Sequence, residues 1–216
     1  MITAVVAVRK GSQRVPNKNI KPFGDSNLLE MKLELLSEVD SIDEIVVNSD
    51  CDDMLDIGKQ YGVKTHKRDE YYASSEATNS EFHKNIAETT KTDVIFLAPV
   101  CAPFVTVKSH QDAIDYYCGG FDSVTSVTEV KNHLWLDGKP INYDLDDVPN
   151  SQDLPNILKL TYGISIIDKD VMFEKAGLVG SSPGFITLDE IESMDIDTEF
   201  DWQIAEAIYN NKIKEW

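Results

Sequence analysis

A chain of 216 residues with 38 acidic and 20 basic side chains, a formal charge of -18, can bury one large core but is too acidic for general nucleic-acid binding or attraction to anionic membranes. No apolar run approaches the roughly 18 to 20 residues of a membrane span, and the first residues lack a leader pattern, so a cytoplasmic location is expected. Cys51, Cys101 and Cys118 are odd in number and form no Cys-x-x-Cys pair, which argues against both a disulfide framework and a zinc site.

Ile2 to Val8 is a continuous apolar run, the pattern of a strand buried on both faces of a parallel sheet. It stops at Arg9-Lys10-Gly11-Ser12-Gln13-Arg14-Val15-Pro16-Asn17-Lys18-Asn19-Ile20-Lys21. Five of the 20 Lys and Arg residues fall within the first 21 positions, where even spreading would give about two. In so acidic a chain this concentration calls for an anionic ligand or a local acidic partner. Gly11 permits a left-handed turn and close approach of backbone N–H groups to a phosphate, and Ser12 adds a hydroxyl donor. A solvated loop after an edge strand is the plainer reading. The spacing is neither that of a Walker A loop nor Gly-x-Gly-x-x-Gly.

Arg9-x-Gly-Ser-x-x-x-Pro-x-Lys-Asn resembles the nucleotide-binding signature of the cytidylyltransferases that make CMP-sialic acid, CMP-Kdo and related activated acids. The resemblance implies an α/β fold with a Rossmann-like, mostly parallel sheet flanked by helices, of the nucleotide-diphospho-sugar transferase type. It also implies CTP as substrate, with Arg9, Gly11, Ser12, Arg14, Lys18 and Asn19 as nucleotide-binding residues and Arg9 or Lys18 stabilising the departing pyrophosphate.

Downstream, Leu29, Leu33 and Leu36 share one face of a helix over residues 28–39, and Ile45-Val46-Val47 is a second buried strand. Asn48-Ser49-Asp50 ends it with polar residues at the carboxyl edge, where open α/β sheets bind ligands. A helix over residues 52–61 closes at Gly62, and a short strand follows over 63–65. Lys67-Arg68-Asp69-Glu70 precedes a Ser/Thr-rich stretch. The resembled family has such an Arg holding cytidine, and Arg68 takes that part; the plainer reading is an exposed Arg paired with Asp69 or Glu70. Asn79 or Ser80 is expected to cap the next helix, which runs to Thr90 with Phe82, Ile86 and Thr89 inward.

Val94-Ile95-Phe96-Leu97 is the fourth buried strand. The family continues with Gln, then Pro-Thr-Ser-Pro-Leu-Arg; here Ala98 replaces the Gln, Val100-Cys101 the Thr-Ser, and Phe104-Val105 the Leu-Arg. Cys101 reads as a small buried thiol rather than a nucleophile, since no His lies near it in sequence. A helix over 109–117 and a half-buried strand over 122–128 follow, after which the alternation breaks. Residues 129–160 read as surface hairpins, and the resemblance makes them a dimerisation excursion that approaches a partner's site. Ser151-Gln152-Asp153-Leu154-Pro155 resembles the family's Arg-Gln-Asp/Gln-Leu-Pro, with Ser151 where an Arg meets the acceptor; Gln152 and His133 are the acceptor-binding candidates. Packing at an interface beside Trp135 is the alternative for His133. A strand entered at residues 162–167, a helix over 170–175 and a strand over 185–187 complete the alternation.

Met194-Asp195-Ile196-Asp197, if extended, sends Asp195 and Asp197 to the same side, a pair suited to Mg²⁺ that is completed by substrate phosphates. The family has Asp-x-Asp in this place as its metal pair. Helix capping by Asp197 or Thr198 competes, and an EF-hand is excluded by Phe200 where the loop needs Gly. A single domain forming a homodimer is expected. It would be a cytoplasmic, Mg²⁺-dependent cytidylyltransferase that joins CMP from CTP to an anionic, sialic-type acid and releases pyrophosphate, with Arg9, Lys18 and Asp197 closest to the chemistry. A sugar-phosphate nucleotidyltransferase using UTP or GTP, a different acceptor, and a non-catalytic nucleotide-binding protein are the alternatives.

Overall fold

In the computed structural model, which describes residues 1–211, the opening apolar run forms β1 (Ile2–Ala7); Ala4 and Val6 face one core and Val5 the other. The short strands β2 (Pro22–Phe23) and β3 (Ser26–Asn27) lead into α1 (Leu28–Ser37), β4 (Glu44–Ser49), α2 (Asp52–Gln60), β5 (Lys64–Lys67) and α3 (Glu70–Ala73). Next come α4 (Asn79–Thr89), β6 (Val94–Leu97), α5 (Val107–Tyr117) and β7 (Ser123–Val130). A small hairpin, β8 (Trp135–Leu136) with β9 (Lys139–Pro140), and a 3-10 turn (Ser151–Asp153) precede β10 (Ile157–Asp168), α6 (Lys169–Lys175), β11 (Pro183–Thr187) and α7 (Glu199–Asn210).

Seven strands form one sheet in the order β11-β7-β10-β6-β1-β4-β5. β1 pairs in parallel with both β4 and β6, β4 with β5, and β7 with β11; β10 runs against β6 and β7. The Rossmann-like, mostly parallel sheet that the resemblance implies is present. Helices α1, α2, α5 and α7 contribute buried side chains to the larger core on one face, while α4 and α6 cover the other. β1 lies where the chain, having built outward through β4 and β5, returns to the opposite side as β6. That reversal opens a crevice beyond the carboxyl ends of the strands.

Three expectations are corrected in detail. Thr78, not Asn79 or Ser80, caps α4, because Glu81 completes a capping box with it. Arg68 is 4% exposed and pairs with neither Asp69 nor Glu70 among the described residues, since it turns inward to donate to the Val8 carbonyl at 2.6 Å. The strand expected at 162–167 begins at Ile157: exposed Leu158 and Tyr162 break its alternation, and its register shifts between Leu160 and Ser165, where Tyr162 has φ 55°.

Candidate active site

The loop after β1 is held at its root by three backbone-directed contacts. The Asn19 side chain donates to the Arg9 carbonyl at 3.1 Å, Lys10 N–H donates to Asp50 at 3.0 Å, and Lys18 N–H donates to the Val15 carbonyl at 3.2 Å. Gly11 adopts φ +82°, the left-handed turn its position requires. Val15, 1% exposed, plugs the loop into the core and leaves its cations at the rim.

These cations face a cavity of about 490 Å³ at the crevice, lined by Arg9, Ser12, Arg14, Lys18, Asn19 and Arg68 on one side. Tyr72, Ser74, Ser75, Asn79 and Phe82 form a second wall, and Pro99, Val100, Cys101 and Asp197 a third. Arg9 ties the first two walls together by donating to the carbonyls of Ala73 and Ser74 at 2.7 and 3.1 Å. Arg68 lies 5.2 Å from the Phe82 ring and keeps a buried Nε without a partner. Burial lowers its pKa to about 10, the nearby Arg9 charge adds to the lowering and Asp50 opposes it, so it remains cationic at neutral pH. The guanidinium thus stands at the cavity wall with hydrogen-bonding capacity that its contacts among the described residues do not use.

The tail of the chain reaches the same cavity. Arg14 Nη2 meets Asp197 Oδ1 at 2.8 Å, Lys18 Nζ lies 4.0 Å from the same oxygen, and Lys18 donates to the Ile196 carbonyl. Residues 194–197 are not a strand, so the expected period of two does not set the carboxylates; Thr198 caps α7 in a capping box with Asp201. Asp197 enters the cavity, whereas Asp195 turns to the Cys101 thiol. Part of Asp195 reaches solvent, yet lost hydration raises its carboxyl pKa and the Asp197 charge adds to it, while Cys101 and Lys18 pull it down. Burial, then the Asp195 charge, pushes the Cys101 thiol up to about 12, which leaves it protonated and no nucleophile.

Asp197 lines the cavity, while Asp195, whose carboxyl pKa the Asp197 charge helps to raise, lies against Cys101; of the expected pair, Asp197 is the carboxylate placed to meet a divalent cation completed by substrate oxygens. No cluster of three or more His, Cys, Asp or Glu suited to a metal occurs among the described residues, so the protein alone would supply only this pair. The acceptor candidates lie elsewhere. His133 and Gln152 are exposed on the excursion and do not line the cavity; His133 meets the Pro149 carbonyl at 3.0 Å and the edge of the Tyr143 ring. The Cys101–Asp195 contact escaped the sequence reading, because no local pattern joins positions so distant.

A cationic crevice at the carboxyl edge of a mostly parallel sheet places the protein in the class of open α/β folds that bind ligands beyond the ends of their strands, here with a lining suited to an anion. Residues 3–136 match the family described as Cytidylyltransferase, and the chain belongs to that family. It is 25% identical over 215 residues to the N-acylneuraminate cytidylyltransferase of Oncorhynchus mykiss, covering 95% of this chain and 49% of that protein. It is 26% identical over 223 residues to the CMP-N,N'-diacetyllegionaminic acid synthase of Legionella pneumophila subsp. pneumophila, covering 96% of this chain and 95% of that one. The chain thus spans about half the length of the fish relative and nearly all of the bacterial one. Its fold matches that of a CMP:2-keto-3-deoxy-manno-octonic acid synthetase solved with CTP, with a TM-score of 0.73 at 13% identity over 98% of this chain and 99% of the other. No helix among the described residues is long and apolar enough to cross a membrane.

Proposed function

We propose that the protein transfers CMP from CTP to an anionic sugar acid of the sialic type. The acceptor hydroxyl oxygen bonds to the α-phosphorus, the bond from that phosphorus to the bridging oxygen breaks, and pyrophosphate leaves while the hydroxyl proton passes to solvent. The observation that carries this reading is the meeting of Arg14 with Asp197 at the wall of one cavity, which joins the cationic loop to the acidic tail. Family membership favours CTP, and the names of the two relatives favour an N-acylated nonulosonic acid.

In this reading Arg9, Ser12, Arg14 and Lys18, with the turn at Gly11, hold the triphosphate, and Arg9 and Lys18 neutralise the charge that accumulates on the leaving group. Asn19 and Arg68 address the cytosine, whose ring acceptors suit the N–H donors of the Arg68 guanidinium. Mg²⁺ held by Asp195 and Asp197 would supply charge neutralisation at the α-phosphate. The acceptor-side departures bear on selectivity unequally: Val100 and Cys101 line the cavity, whereas Ala98, Phe104 and Val105 are fully buried and do not line it.

Trp135, Leu136, Ile141, Leu145 and Val148 are each more than half exposed on the excursion, an apolar surface suited to a second copy of the chain. Dimerisation through it would bring His133 and Gln152 toward the partner's cavity. Incubation with CTP, Mg²⁺ and a panel of nonulosonic, octulosonic and phosphonate acceptors should release pyrophosphate with a nonulosonic acid, and CTP should raise the melting temperature more than ATP, GTP or UTP. Pyrophosphate release with none of the acids defeats the proposal; greater stabilisation by UTP or GTP redirects it to sugar-phosphate nucleotidyl transfer.

A further inference from the structure

Lys32 takes no part in the chemistry above. It lies on α1 four residues after Leu28 and three after Leu29, so its stem follows the helix face that enters the core. It is 2% exposed, and its ammonium makes one hydrogen bond, to the Ala102 carbonyl at 3.1 Å, with no ion pair among the described residues. An ammonium left with one neutral acceptor is costly to bury, and a Met would fill the same space without that cost.

What the ammonium touches gives its use. Ala102 belongs to the bend after β6 that walls the cavity through Pro99, Val100 and Cys101. The acidic tail rests on that bend: Ile196 N–H donates to the Cys101 carbonyl at 2.9 Å, the Cys101 thiol meets Asp195, and the Ile196 carbonyl receives Lys18. We propose that Lys32 is a positioning residue for the nucleotide site, pinning the bend that carries the acidic tail and adding positive potential behind the wall that faces the triphosphate. This rests on the reading of the cavity as a CTP site.

The groups facing Lys32 do not offset its charge near neutral pH. Cys101, on the bend, stays protonated, and His110, on α5, is held neutral by burial with its pKa near 3. Burial lowers Lys32 itself to about 8, so it carries its charge at pH 7 and loses it above. Calorimetric titration of Mg²⁺-CTP into the full chain between pH 7 and 9.5 tests the assignment. Wild-type affinity should fall about tenfold as pH rises through 8. Lys32→Met should be about tenfold weaker at pH 7 and flat with pH. Its melting temperature without ligand should be no lower than wild type. Wild-type affinity for Lys32→Met at pH 7, or a flat wild-type profile, overturns the role of Lys32 alone, and the second measurement holds even if the variant folds poorly. A wild type that fails to bind CTP at pH 7 overturns the proposed function, and this role with it.

Discussion

Arg14 and Asp197 are 183 positions apart in sequence and 2.8 Å apart in space. Their side chains are 66% and 45% exposed, so solvent screens the pair and it contributes at most about 1 kcal/mol to stability. Asp197→Asn should therefore leave the melting temperature nearly unchanged yet slow pyrophosphate release by on the order of 100-fold, because it removes a carboxylate from the reacting end of the cavity. Steady-state rates set beside a melting curve separate the two effects; equal activity of the variant would exclude Asp197 from the site. His110 makes a prediction of the opposite kind. It is fully buried, meets the Thr106 carbonyl at 2.7 Å and keeps an unpartnered Nε2, and burial, helped by the Lys32 charge, depresses its pKa from 6.5 to about 3. Between those values the unfolded chain binds the extra proton, so this group's contribution to stability is complete above pH 6.5 and is lost as pH falls. The loss amounts to about 2 kcal/mol by pH 5. Denaturant titrations at pH 7 and 5 should show that loss in the wild type and a smaller one in His110→Leu. At this scale the sequence was partly legible. The loop cations and both aspartates could be singled out from residue type and spacing, and Lys32 was in principle visible, since its offsets from Leu28 and Leu29 place it on the apolar face. The Cys101–Asp195 and Arg14–Asp197 contacts were not, because they depend on how distant segments pack.

At the scale of elements, α7 is the part that brings the acidic tail to the loop. Trp202 and Tyr209 of α7 hold the Phe23 ring edge-on, with centroids 5.2 and 5.4 Å away, and the Lys21 ammonium sits 4.2 Å over Trp202. Gly24 makes this clamp close: its φ is +57°, and a Cβ there would lie 2.1 Å from the Tyr209 ring. Gly24→Ala should therefore destabilise the protein by about 2 kcal/mol or more and weaken nucleotide binding in parallel, through a displaced α7 rather than a lost contact. Unchanged melting and unchanged binding in that variant would show that the helix can dock without the clamp. The central parallel strands β1, β4 and β6 were legible because burial on both faces writes them as apolar runs. The outer half of β10 was not, because exposed Leu158 and Tyr162 interrupt its period, and the cap of α4 moved by one residue to the Thr that has an acidic partner three positions on.

Across the whole molecule, charge and apolar surface are segregated. A chain of net charge -18 concentrates cations at one crevice and leaves five large apolar side chains more than half exposed on a single excursion. The dimer proposed through this excursion predicts that replacing Trp135 and Leu136 by Glu yields monomers from a dimeric wild type by sedimentation equilibrium, while the seven-stranded sheet, to which neither residue belongs, keeps its melting transition. If the double variant sediments as the wild type does, the excursion is not the contact. β7 and β10 are antiparallel neighbours, so the excursion leaves and re-enters the sheet at the same ends of adjacent strands. The placing of Arg14 against Asp197 also bears on how the protein is made. A ribosome that has delivered every strand through β11 has still not delivered Asp197, the one lining residue of the cavity that comes from the tail among the described residues. Nascent chains stalled before position 197 should therefore carry the cationic loop without its acidic partner, and activity should arrive only as the last helix emerges and docks.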